Sequence, residues 1–163
     1  MSRARSSIWG FFLIVLPCTA ACGGGSSSPA TALAPGAPAP PLRSVASVDQ
    51  VMDAIIIPSS QRVFDAVVYV NGQLEQSPKS DDDWFGVQMS ALAVAEAGNL
   101  LMLPPRAKDN GEWLTFSRAL TDSAYRVAQA AEAKNLDLVL QTGGEMYNTC
   151  TACHEKYLTM PEP

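Results

Sequence analysis

The sequence contains one histidine, and that scarcity excludes more than any other feature of its composition. No two imidazoles can share or flank an ion, and no Ser/His/acid set for nucleophilic catalysis is visible, so an enzymatic role has no support. No second metal cluster appears either. Positive charge is scarce as well: 11 Lys and Arg stand against 16 Asp and Glu. A polyanion repels phosphate instead of releasing its counterions, which excludes a nucleic-acid partner. Missing too is any apolar run of the about 20 residues that a permanent membrane span needs. No internal repeat and no strand pattern stand out. What remains is one domain's worth of chain, 163 residues with 47% apolar, sufficient for a single core.

The N-terminus reads as a targeting segment. Arg3 and Arg5 precede a short apolar run from Ile8 to Leu16, and Thr19-Ala20-Ala21 supplies small residues before Cys22. A basic start, a brief hydrophobic stretch and a small-residue cut site predict a signal peptide over 1–21. Thr19-Ala20-Ala21-Cys22, followed by Gly23-Gly24-Gly25-Ser26, resembles a bacterial lipobox. That resemblance implies lipidation of Cys22, a membrane anchor and a periplasm-facing domain. Gly23, in place of Asp, points to the outer rather than the inner membrane. The alternative is plain cleavage after Ala21, leaving Cys22 as a free thiol, a liability in an oxidising compartment. Cleavage lowers Lys and Arg from 11 to 9, so the net charge moves from −5 to −7. Residues 22–46 are mostly Gly, Ser, Ala, Pro and Thr without apolar period, and they predict a flexible tether.

Beyond the tether the pattern is helical. A first segment over 47–69 carries Val48, Val51, Met52 and Ile55 at helical spacing. Pro58 should interrupt it, since proline removes a hydrogen bond and clashes with the preceding turn; Val63, Ala66, Val67 and Val70 continue the period beyond. The run Ile55-Ile56-Ile57 alone also suits a strand. A second segment begins at Asp81-Asp82-Asp83, acids that suit a helix N-terminus, and stops at Pro104-Pro105. The third, from near 111, shows the cleanest period: Trp113, Phe116, Leu120, Ala124, Val127, Ala128 and Ala131. The fourth follows Asn135, with Leu136, Val139, Leu140, Gly143, Tyr147, Cys150, His154 and Tyr157 on one face. The expectation is an all-α domain over 47–160, an antiparallel four-helix bundle.

Cys150-Thr151-Ala152-Cys153-His154 is a C-x-x-C-H motif, the pattern of covalent haem attachment. Positions i, i+3 and i+4 share a helix face. Two thiols can therefore add to the two vinyl groups of one haem while the imidazole meets its iron. This is chemistry of compartments outside the cytoplasm, where the signal peptide sends the chain. Competing readings are weaker. A thioredoxin-like dithiol wants a strand before it and a parallel sheet around it. A structural zinc site wants four ligands, and the motif offers three. A disulfide between cysteines three apart is sterically poor.

A C-x-x-C-H on the last helix resembles the class II cytochromes c, the cytochrome c′ family. The segment Ala130-Ala131-Glu132-Ala133-Lys134-Asn135-Leu136-Asp137 is similar to that family's turn between its third and fourth helices. Trp113 opens the third helix as a family tryptophan does, and Tyr157 stands three residues after the histidine. The likeness covers about 47–160 at fold level and is specific over 111–158. It implies a four-helix bundle with one haem c on the C-terminal helix. Cys150 and Cys153 would bind it and His154 would be the axial iron ligand. Family members often dimerise, so a homodimer is a further expectation; the redox partner proteins stay unnamed.

The resemblance implies that the first helix covers the other side of the iron. Met52 is the candidate sixth ligand there, with a core gap-filler as the plainer reading. A Met/His iron is closed to ligands and has a raised potential, which suits one-electron transport in the periplasm. The alternative is an apolar wall made by Ile55 or Ile56 around a five-coordinate iron, as in cytochromes c′ that bind nitric oxide or carbon monoxide. Leu158 departs from that form, where a basic residue is common. Met146 and Met160 flank the motif on its own helix, and Met89 and Met102 lie on the second segment. Trp84, Trp113, Phe116 and Tyr147 read as core, the last two with a secondary claim to the haem edge. Arg62, Arg106 and Arg118 are candidates for haem propionates, though solvated surface is the plainer expectation for each. No distal acid–base residue suggests peroxide chemistry.

Overall fold

The structure, a computed structural model, describes residues 42–158. The expected signal peptide, Cys22, Met160 and the part of the expected tether before residue 42 lie outside the described residues. Within them the chain is mostly helical and belongs to the all-α class. Among the described residues no helix is long and apolar enough to cross a membrane.

Helix α1 (Val48–Val51) starts at a capping box in which Ser47 Oγ accepts from the Gln50 N–H while Gln50 reciprocates at Ser47. The helix then widens into a π turn, Met52–Ile56, and continues as α2 (Ile57–Phe64). The helix thus runs through Pro58 instead of being interrupted by it. The wide turn accounts for this: the Ile57 N–H bonds to the Met52 carbonyl, five residues back, immediately before the proline. The change of hydrogen-bond register there relieves the clash that a proline ring makes within a tight α turn. The same turn serves the core. Val51 and Ile56 are both buried, yet five residues of α-helix would set them about 140° apart. A π turn brings both onto one side.

The expected helix over 47–69 is also too long. The chain leaves α2 after Phe64, and Val68–Val70 (β1) pairs antiparallel with Gln73–Gln76 (β2). Asn71 and Gly72 connect them with φ of 52° and 77°. Positive φ at both positions is what a two-residue hairpin of matching twist requires, and Asn-Gly is its strongest sequence signal. The Gln76 side chain donates to the Asp65 carbonyl and ties the hairpin to the end of α2.

Helix α3 (Asp81–Leu101) is capped by Ser80 and Asp83 in a second reciprocal box. It buries Val87, Ala91, Val94, Ala95, Gly98 and Leu101 but leaves Phe85 exposed, so it is not apolar-packed all round. Helix α4 (Glu112–Glu132) crosses it closely. A Cβ on Gly98 would meet Thr121 Oγ1 and lie 3.0 Å from the Ser117 carbonyl. The Trp113 indole N–H donates to the Leu101 carbonyl at 2.8 Å, and Lys134 pairs with Asp81 at 2.7 Å. The start of α4 therefore sits by the end of α3, and its end by the start of α3.

The turn into α5 (Leu136–Tyr157) is fully specified by short-range bonds. Lys134 takes a left-handed φ of 51°. Its N–H bonds to the Ala131 carbonyl, and the Asn135 N–H bonds to Ala130, the Schellman pattern. Asn135 then caps α5 by accepting from the Leu138 N–H at 3.0 Å. On α5 the buried line is Val139, Thr142, Gly143 and Met146, whereas Leu140 and Tyr147 are exposed. The core falls into two clusters. The larger joins the first helix, α3, α4 and Met146, and the smaller joins Ala66, Val67, Val87, Ala130, Ala131 and Val139. Every buried side-chain nitrogen or oxygen among the described residues has a partner.

Candidate functional site

Capped at Asn135, α5 carries Cys150, Cys153 and His154 on its last turns. All three line one cavity of about 440 Å³, within the usual range for small-molecule sites. The wall from the first helix presents Met52, Ile56 and Ile57, and α4 adds Phe116 and Leu120. The structure therefore brings together the four motif and ligand candidates of the described chain. Cys22, the fifth candidate, lies outside the described residues.

Cys150 and Cys153 are partly buried free thiols, not a disulfide. Burial raises the Cys150 pKa first, with the neighbouring Cys153 charge adding to it. Burial alone raises that of Cys153. Both thiols are thus held protonated at neutral pH. His154 is exposed at the cavity mouth. Among the described residues no three His, Cys, Asp or Glu side chains are grouped to hold a metal ion.

The other expectations divide. Of the two isoleucines offered as an apolar wall, Ile56 lines the cavity and Ile55 does not. Met146 is fully buried in the core, and Met89 and Met102 do not reach the cavity. Trp113 is buried as expected. Tyr147 is not core: it is 58% exposed, lies on the cavity lining, and packs edge-on against Phe64 at 5.7 Å. None of the three arginines lines the cavity. Arg106, expected at the surface, is buried and donates to the Ala46 and Leu100 carbonyls at 3.0 and 2.7 Å, pinning the entry of α1 to the end of α3. Arg62 lines a separate polar groove of about 790 Å³ beside the hairpin, which contains no motif residue.

Two residues escaped the sequence reading. Asp49 and Asp53 line the cavity on the Met52 wall, and no Lys or Arg side chain lines it with them. The signal was available: 49, 52, 53 and 56 recur at three and four, as one helix face does.

Comparison of the chain with family models, curated proteins and solved structures finds no match.

Proposed function

We propose that this chain is a monohaem c-type cytochrome built as an antiparallel four-helix bundle, with haem c on α5, acting in periplasmic one-electron transfer. The single observation that carries this is the convergence of Cys150, Cys153, His154 and Met52 on one apolar-lined cavity from two different helices. The donor set fits the group. Two unpaired thiols three residues apart can each form a thioether, and the adjacent imidazole is free to bind iron. Protonated, buried thiols are also stable until they are alkylated.

When bound, the haem supplies a reversible one-electron couple. The rest falls to the chain. Cys150 and Cys153 would fix the macrocycle to α5, and His154 would ligate its iron. Met52 would be a second protein ligand, excluding external ligands and favouring the reduced state. Phe116, Leu120 and Ile56 give the cavity apolar walls. Asp49 and Asp53 add carboxyl groups to the Met52 wall, where no Lys or Arg stands. As a lipoprotein, the mature chain would begin at acylated Cys22 and reach the membrane through its tether.

One observation favours a second reading. Ile56 lines the same wall as Met52, so an apolar face could leave the iron five-coordinate and open to nitric oxide or carbon monoxide. The test is the optical spectrum of reduced protein purified from cells that mature cytochromes. A sharp low-spin α band, unmoved by carbon monoxide and lost in Met52→Ala, is expected. A high-spin band that shifts with carbon monoxide overturns Met52 ligation in favour of the second reading. A Cys150→Ser/Cys153→Ser double variant should yield bare polypeptide mass. Should the unaltered protein do so too, the cytochrome reading is lost.

A further inference from the structure

The last turn of α5 is bolted to the start of α4 by one carboxylate. Asp109 Oδ1 accepts from the backbone N–H of Gly111 at 2.7 Å and of Trp113 at 3.2 Å, capping α4. Its second oxygen accepts from the Tyr157 hydroxyl, three residues beyond His154. The Tyr157 ring stands edge-on to Trp113 at 5.0 Å and to Phe116 at 6.3 Å. Trp113 is itself anchored in the core and to the Leu101 carbonyl. Tyr157 stands one turn beyond Cys153 and His154 on the same helix face and does not itself line the cavity. The end of a helix would otherwise fray, because its last carbonyls have no intrahelical donors.

We infer that Asp109 is a positioning residue for His154: through Tyr157 it fixes the rotation of the last α5 turn, and so the direction in which the imidazole meets the cofactor. This deepens the cytochrome reading and rests on it. The neighbouring pair of Lys156 with Glu112 joins the same two helices but is exposed on both sides, and exposed ion pairs hold geometry poorly. The direction of an axial imidazole and its outer partners tune a metal site as much as the ligand's identity does. The neutral Tyr157 hydroxyl, its pKa pushed up to about 12 chiefly by the bond to Asp109, keeps its proton for that bond.

The test compares haem-loaded wild type with Tyr157→Phe, Asp109→Ala, Asp109→Asn and Glu112→Gln. Tyr157→Phe keeps the ring packing and the α4 cap while removing only the bond. It should speed amide exchange over residues 150–157 several-fold and shift the midpoint potential. Asp109→Ala should do the same more strongly, Asp109→Asn should recover part, and Glu112→Gln should stay near wild type. The inference is overturned if Tyr157→Phe leaves both exchange and potential unchanged, or if Glu112→Gln moves them equally. A wild type that holds no haem overturns it differently, by removing the cytochrome reading beneath it.

Discussion

The two walls of the cavity are built on opposite principles. The α5 wall is regular. Its helix opens at a Schellman turn and an Asn135 cap, buries Met146 completely, and closes on the Asp109–Tyr157 bond. The facing wall, from Asp49 to Phe64, contains a π turn, a proline and two exposed carboxylates. Its core contact depends on a five-residue spacing between Val51 and Ile56 that no regular helix supplies. The difference teaches how the site divides its labour. On the proposed cytochrome reading, a covalent cofactor would need fixed spacing, which a regular helix gives. A ligand or barrier on the other face needs only to reach the cavity, and there the backbone departs from regularity, as π turns at functional sites commonly do.

Two methionines break this comparison open. Met146 is 0% exposed in the core of the regular wall, whereas Met52 is partly buried at the cavity. Met146→Ala should cost about 2–5 kcal/mol in a denaturant titration, through lost transfer energy and an unfilled void. The spectrum of any bound haem should not change. Met52→Ala should do the reverse: a small stability loss, and a changed reduced spectrum. If the two variants behave alike, the walls do not differ in kind.

A smaller effect should follow pH. Hydrogen bonds, first from Tyr157 and then from the Gly111 backbone, hold the Asp109 carboxyl below its ordinary value of 3.8. The folded state therefore gains stability that is fully present above that value and lost as pH falls through the lowered pKa. Tyr157 works at the other end. Raised from 10.0 to about 12, it contributes fully below pH 10.0, and the contribution goes as pH rises through about 12. The gap in melting temperature between wild type and Tyr157→Phe should be widest between these limits. It should narrow as the pH is taken below 3.8. A gap that is constant with pH would mean the bond to Asp109 does not hold the last turn.

How far the molecule was legible follows the same division. The C-x-x-C-H spacing and the Trp113 period lie in regular helix, where sequence spacing converts directly into a face: the motif residues line the cavity and Trp113 is buried in the core. The hairpin was legible but hidden. Asn71-Gly72 announces it, yet Val67 and Val70 also fit a helical period, and the helical reading absorbed them. The π turn was not legible, because Val51 and Ile56 match neither the helix nor the strand repeat. Asp49 and Asp53 went unread, although their spacing with Met52 and Ile56 is that of one helix face. Arg106 is buried by tertiary bonds to Ala46 and Leu100, sixty and six residues away, which no local pattern encodes.

The turn leading into the regular wall offers the finest test. Lys134 holds a left-handed φ of 51°, a conformation in which a Cβ crowds the following carbonyl and which glycine adopts freely. Lys134→Gly removes that strain but also the pair with Asp81, which is exposed on both sides and so contributes little. Lys134→Ala removes the same pair and keeps the strain. Glycine should therefore be the more stable of the two by about 1 kcal/mol in a denaturant titration, while alanine falls slightly below wild type. The comparison isolates the backbone, since neither replacement offers a charged side chain. An alanine variant as stable as the glycine one would show that α5 is set by packing along its length and not by the turn that starts it.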